Sequence, residues 1–220
     1  MKLSSTIALM AIAMAGIASA ANFHTIAGIS SSTANFYPVG NLIQGPGVGF
    51  SATEPHAKIL GGAGGNWVTD APGGFPSDYI AVAGAPVLTI DLGSDKLLQE
   101  ISLWGYDASN ANGASEVEIL FATEADGPGG FGTSITYNPT FDLVIDTNLR
   151  QSFLFSEQFD ARYVQLTLTD NFFSGGGSGP PPGGDRVGLG EVAFYVPEPS
   201  RAMFLAFGFG AMIIRRRREV

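Results

Sequence analysis

The chain has 220 residues, no cysteine, two histidines and a formal net charge of −9. Disulfides, thiolate metal sites and cysteine nucleophiles are therefore excluded. The charge disfavours nucleic acid and anionic membrane surfaces as partners, most strongly between residues 21 and 199, where Lys58, Lys96, Arg150, Arg162 and Arg186 face nineteen acids, a net −14.

At the N-terminus, Met1-Lys2 forms a short basic region, residues 7–17 an apolar one, and Ala18-Ser19-Ala20 a small-residue cleavage site. The order is that of a secretory signal peptide covering residues 1–20. The part between the signal and the tail, residues 21–195, is the size of one ordinary domain and long enough for a real core.

No helix is expected between Asn22 and Val196. Short apolar runs alternate with Gly/Pro-rich turns, the pattern of an all-β, antiparallel sandwich. Residues 23–50 are weakly patterned and hold a turn cluster at 45–49. A glycine cluster at 61–65 precedes Asn66 and Trp67, and Pro72, Gly73, Gly74 and Pro76 punctuate the chain after it. The clearest strands come next. Residues 87–92 place Leu88, Ile90 and Leu92 on one face. Residues 100–106 place Ile101 and Leu103 on one face and Trp104 and Tyr106 on the other. Residues 116–122 alternate Val117, Ile119 and Phe121 with Glu116 and Glu118. Residues 141–145 and 153–155 read as shorter strands. Residues 162–169 set Val164, Leu166 and Leu168 against Tyr163, Gln165 and Thr167, and residues 189–196 carry Val192, Phe194 and Val196 on one face. This period of two marks half-buried strands.

Residues 174–184, rich in glycine, serine and proline, read as a long flexible loop inside one domain. The dozen residues after it supply a single strand, which must pair back onto the sandwich. Pro197 and Pro199 then stop the fold. Residues 202–214 come next, thirteen apolar residues without charge, and then Arg215, Arg216, Arg217 and Arg218. As a helix this stretch reaches about 20 Å, short of a hydrocarbon core of about 30 Å. A buried core helix is the plainer reading of such a length, but the arginine block and the double-proline break favour a transmembrane helix with the arginines on the cytoplasmic side.

Pro197-Glu198-Pro199, the short apolar span and the terminal arginine cluster resemble the PEP-CTERM sorting signal of exported proteins in Gram-negative bacteria. That resemblance covers residues 196–220. It implies recognition and removal of the tail by an exosortase, a membrane-embedded cysteine peptidase, and so a transient inner-membrane intermediate before release to the cell surface or outside. Proteins with this signal are often associated with exopolysaccharide production.

A second resemblance rests on Trp67 after a glycine-rich turn, then Leu88-Thr-Ile-Asp-Leu-Gly93, Glu100-Ile-Ser-Leu-Trp-Gly-Tyr106, Ala161-Arg-Tyr-Val-Gln-Leu-Thr-Leu168 and Gly190-Glu-Val-Ala-Phe-Tyr195. In that order these resemble a discoidin (coagulation factor five/eight type C) domain of the galactose-binding-like superfamily. The resemblance implies a jelly-roll β-sandwich that binds sugars, surfaces or proteins through loops at one end. It also implies a structural Ca2+ near Glu191, with Asn66, Asp70 or backbone carbonyls replacing an aspartate missing from the glycine turn. The plain alternative pairs Glu191 with Arg162 or leaves it facing water.

Sugar binding needs an aromatic platform with polar donors. The loops offer Phe75, Tyr79, Phe131, Tyr137, Phe172 and Phe173, with Asn110, Asn112, Asn171 and Arg186 as donors. Trp67 and Trp104 are larger stacking side chains, although Trp67 matches a position the family usually buries. Phe172 and Phe173, beside the glycine-rich loop, are the expected contact, with Arg186. Catalysis has little support: His24 lies near the mature terminus, His56 makes no multi-histidine site, and no nucleophile elbow is present. The expected function is non-catalytic glycan binding outside the cell, with a calcium-dependent protein-interaction module or a purely structural matrix protein as alternatives.

Overall fold

The computed structural model describes residues 23–44, 62–106, 111–145, 150–175 and 182–195. The signal segment, His56 and the entire sorting tail lie outside the described residues. Eight strands are present among the described residues: β1 (Gly28–Ser31), β2 (Asn35–Tyr37), β3 (Trp67–Thr69), β4 (Val87–Gly105), β5 (Ala114–Ala122), β6 (Thr140–Asp142), β7 (Arg150–Asn171) and β8 (Gly188–Tyr195). They form one antiparallel sheet in the order β2-β3-β8-β4-β7-β5-β6, with β1 added to β4.

The sheet becomes a sandwich because its two longest strands fold over together. β4 and β7 pair from Val87–Thr167 to Asp91–Tyr163, and the register resumes at Lys96–Ala161 and runs on to Trp104–Arg150. Across the interruption β4 carries extra residues, including Gly93 at φ 80°. A bulge of this kind bends a ribbon sharply, and glycine adopts the required φ without a Cβ penalty. Arg162 fastens the bend. Its guanidinium grips the Asp91 carboxylate through two bonds of 2.9 and 3.1 Å and reaches Glu124 at 3.1 Å. One layer is thus β1, the first half of β4, the second half of β7, β5 and β6. The other is β2, β3, β8, the second half of β4 and the first half of β7.

The alternation predicted for these strands sets which side chains meet between the layers. Leu88, Ile90, Val117, Ile119, Phe121, Val164, Leu166 and Leu168 from one layer join Trp67, Ile101, Leu103, Val192 and Phe194 from the other in a single core. Each large side chain buried in this way contributes about 1.5–3 kcal/mol, the source of stability in a domain without cross-links. The outer face of the second layer is covered too. Trp104 and Ala193 pack under Phe23, and Arg150 bonds both Glu100 and Ser102 beneath them.

β8 inserts between β3 and β4, as a strand returning from the 174–184 loop must. It begins beside Trp67 and Val68 and ends at Tyr195, opposite Glu100. Phe23 bridges to Tyr195 and His24 N–H bonds Phe194 O at 2.8 Å, so the two ends of the domain lie together.

Three expectations need correction. The segments 87–92 and 100–106 are one bent strand, and so are 153–155 and 162–169; the turn at Gly93 reads in sequence as a strand end. The expected strand 141–145 shortens to β6, Thr140–Asp142. A helix, α1 (Tyr79–Ala83), does occur. Asp78 caps it, accepting from Ile80 N–H at 3.0 Å and Ala81 N–H at 3.4 Å. At five residues α1 is too short to show helical periodicity. No helix of the described residues is long and apolar enough to cross a membrane, and the span expected at 202–214 falls outside them.

Candidate functional site

Five elements converge on the segment just before β8. Arg186 Nη1 donates to Thr69 O, at the end of β3, at 3.0 Å. Tyr79 N–H, opening α1, donates to Gly184 O at 2.8 Å. Asn171, closing β7, donates from Nδ2 to the same carbonyl at 2.9 Å. Gly184 N–H donates to Asn112 Oδ1 at 2.6 Å, before β5. From β2, the Phe36 ring lies 4.1 Å from the Arg186 guanidinium carbon. Residues 182–187 are therefore the hub of one end of the sandwich, far along β4 and β7 from the Asp91–Arg162 bend.

The expected contact residues reach this end in unequal ways. Phe172 and Phe173 are half-buried. Each lies on a glycine: a Cβ on Gly113 would sit 3.3 Å from Phe172 Cδ2, and one on Gly184 only 2.4 Å from Phe173 Cδ2. Both rings thus clamp the loops together. Arg186 is three-quarters shielded, held by Thr69 O, the Phe36 ring and Asp185, whose Oδ2 is 4.0 Å from Nε. Trp67 and Trp104 are both buried, so neither is a platform. Trp67 is fixed by a 2.5 Å bond from Nε1 to Asn35 Oδ1. Tyr79, Asn112 and Asn171 are buried supports, and the half-buried Tyr137 packs on the buried Phe121 and Phe155 beside Phe159. Asn110 lies outside the described residues.

The exposed aromatics at this end are Phe36, 55% exposed, and Phe75, 60% exposed. Phe75 stands in the loop between β3 and α1, both ends of which are pinned to residues 184–187. Sequence reasoning missed Phe36 because β2 is three residues long and bulged between Asn35 and Tyr37. Its available signal was an aromatic pair, Phe36-Tyr37, in a polar stretch ahead of Pro38.

The residues expected to ring Ca2+ are not brought together as a set. Asn66 and Asp70 flank β3 on opposite sides, about 13 Å apart along an extended chain. Asn66 is buried next to Trp67, whose partner is Leu189, and so lies near Glu191. Asp70 is exposed and its N–H bonds Ala34 O. Three carbonyls at this turn accept from side-chain amides. Asn41 Nδ2 donates to Ala63 O at 2.8 Å and Asn66 O at 2.6 Å, and Gln44 Nε2 to Gly64 O at 2.6 Å. Among the described residues no group of three or more His, Asp or Glu side chains is placed to hold a metal ion. Such a cation takes six to eight oxygens; of the expected set, Glu191 and Asn66 are buried and Asp70 stands exposed at the other end of β3. Glu191 is buried opposite Trp104, and Arg162 is engaged at the bend with Asp91 and Glu124.

Solved structures share this architecture. The chain superposes on the structure of the CBM32-1, CBM32-2 and M60 catalytic domains of Clostridium perfringens ZmpB with a TM-score of 0.51 and 14% identity, over 81% of this chain and 14% of that one. A structure of the two CBM32 domains of ZmpB in complex with GalNAc gives 0.50 and 13%, over 79% of this chain and 33% of that one. The family 32 CBM of C. perfringens NanJ, in complex with galactose, gives 0.48 and 16%, over 77% and 93%. The fold is that of a galactose-binding-like β-sandwich. No protein-family model and no curated protein matches the chain.

Proposed function

We propose that this chain is a non-catalytic glycan-binding module of the cell exterior, with its binding surface at the loop end around residues 182–187. The observation that carries the reading is Phe36. It is a large aromatic ring left open to solvent, held in place by Arg186, on an end where five elements are locked together by buried hydrogen bonds. Such a surface is rigid before a ligand arrives, which lowers the ordering cost of binding. The GalNAc bound in the ZmpB structure agrees with this class of partner.

Export and sorting complete the proposal. The signal peptide at residues 1–20 sends the chain across the inner membrane. Pro197, Glu198 and Pro199, the span 202–214 and Arg215–Arg218 hold it there until an exosortase-type peptidase releases it. β8 runs from Gly188 at the loop end to Tyr195, opposite Glu100, at the other end of the sheet.

Binding of the labelled full-length chain to an array of immobilised glycans tests the function. The wild type binds a subset, and Phe36→Ala loses that binding about tenfold or more while unfolding at the same temperature. Unchanged binding by Phe36→Ala would place the contact elsewhere.

A further inference from the structure

The charge around Phe36 defines the kind of sugar the site accepts. Four carboxylates lie at the loop end: Asp70 follows Thr69, Asp78 caps α1, Asp170 precedes Asn171, and Asp185 adjoins Arg186. Among the described residues Arg186 is the cation of this end, and it is already engaged with the Phe36 ring, Thr69 O and Asp185. The other described lysine and arginines serve elsewhere. Lys96 and Arg162 sit at the bend, and the Arg150 side chain is only 5% exposed against Glu100. A sugar carboxylate arriving here would meet like charges and, among the described residues, no uncommitted cation to receive it.

We infer that the site selects uncharged glycans and rejects uronic and sialic acids; this rests on the glycan reading above. The guanidinium lies over the Phe36 ring and the Tyr37 ring packs beside it at 4.9 Å, yet the residue stays 55% exposed and offers apolar surface to the C–H face of a pyranose. That contact needs no charge on the ligand. Repulsion of acidic sugars acts chiefly through the exposed Asp70 and Asp170 and weakens as salt screens it.

The test uses matched pairs differing only in charge: polygalacturonate against its carboxyl-reduced galactan, and sialylated against desialylated glycans, each titrated with the full-length chain at low and moderate salt. The neutral member of each bound pair should bind about tenfold or more tightly, with the gap narrowing as salt rises. Asp70→Asn, at an exposed side chain that does not touch Arg186, should narrow it as well, at unchanged affinity for the neutral member. Equal or tighter binding of the acidic members overturns the selectivity and leaves glycan binding standing. No binding to either member of any pair removes both.

Discussion

The Arg186 guanidinium lies over the Phe36 ring with 4.1 Å between its carbon and the ring centroid. This contact joins β2 at the sheet edge to the segment that leads into β8. In the proposed function Arg186 backs the Phe36 ring rather than donating a hydrogen bond to a ligand. Arg186→Lys keeps the charge but loses the planar stack, because an ammonium is a point donor on a flexible stem. The expected outcome is a several-fold weaker glycan affinity with little change in thermal stability, read by titration and calorimetry. Full retention of affinity in the lysine variant would show that the stack has no part in binding.

Gly184 has φ 101°, and an added Cβ would fall 2.4 Å from Phe173 Cδ2. Gly184→Ala therefore meets both backbone strain and a clash. A loss of about 3 kcal/mol is expected from the two together, measured as a lower urea midpoint. Binding should weaken too, because Gly184 is bonded to Tyr79, Asn112 and Asn171 at once. Phe173→Ala in the same background relieves the clash and should recover part of the stability.

The Arg150–Glu100 pair is nearly excluded from water, at 5% and 11% side-chain exposure. Removing one partner leaves a buried charge, so Arg150→Met is expected to destabilise by about 3–5 kcal/mol. Glu100→Met in addition should restore most of that loss. Additive losses in the double variant would show that the two charges act independently.

Asn41 donates to two carbonyls of the glycine turn. Asn41→Asp turns that donor into an acceptor facing acceptors, with an expected loss of about 2–3 kcal/mol. In the variant, added calcium should recover part of the loss, since the new carboxylate and the two carbonyls then face one another. In the wild type, chelation should leave the unfolding midpoint unmoved. A fall in the wild-type midpoint on chelation would place a structural cation beside Glu191 after all.

Asp91 has its carboxyl held below the ordinary value of 3.8, chiefly by the hydrogen bonds from Arg162 and further by Gly93 N–H. A carboxylate with a depressed folded pKa adds stability that is fully present above the unfolded value. That stability is lost as pH falls from about 4 through the folded pKa. Acid unfolding of the wild type should therefore steepen below about pH 4, and Arg162→Gln should flatten that part of the profile. Parallel acid profiles for the two proteins would remove the bend from the account.

Much of the fold was legible because the core strands alternate cleanly. Leu88, Ile90 and Leu92, Val117, Ile119 and Phe121, and Val164, Leu166 and Leu168 all face inward as their spacing requires. The return of β8 was legible because the stretch between the glycine-rich loop and Pro197 is too short to fold alone. The union of strand segments into β4 and β7 was not, since a bulge with a glycine and a true strand end look alike in sequence. At the site, the half-buried Phe172 and Phe173 pack against Gly113 and Gly184, and Arg186 lies over the Phe36 ring. Which face of a half-buried ring meets glycine and which meets water is decided by tertiary packing. Phe36 escaped because a three-residue bulged edge strand carries too few residues to show a period.

The most direct measurement of the central claim is an isothermal titration of the full-length chain with a neutral glycan chosen from the array, run beside Phe36→Ala. Saturable binding is expected of the wild type and a constant about tenfold weaker or more of the variant, with matching unfolding temperatures. Equal constants for the two proteins, or no saturable binding of any neutral or acidic glycan, would contradict it.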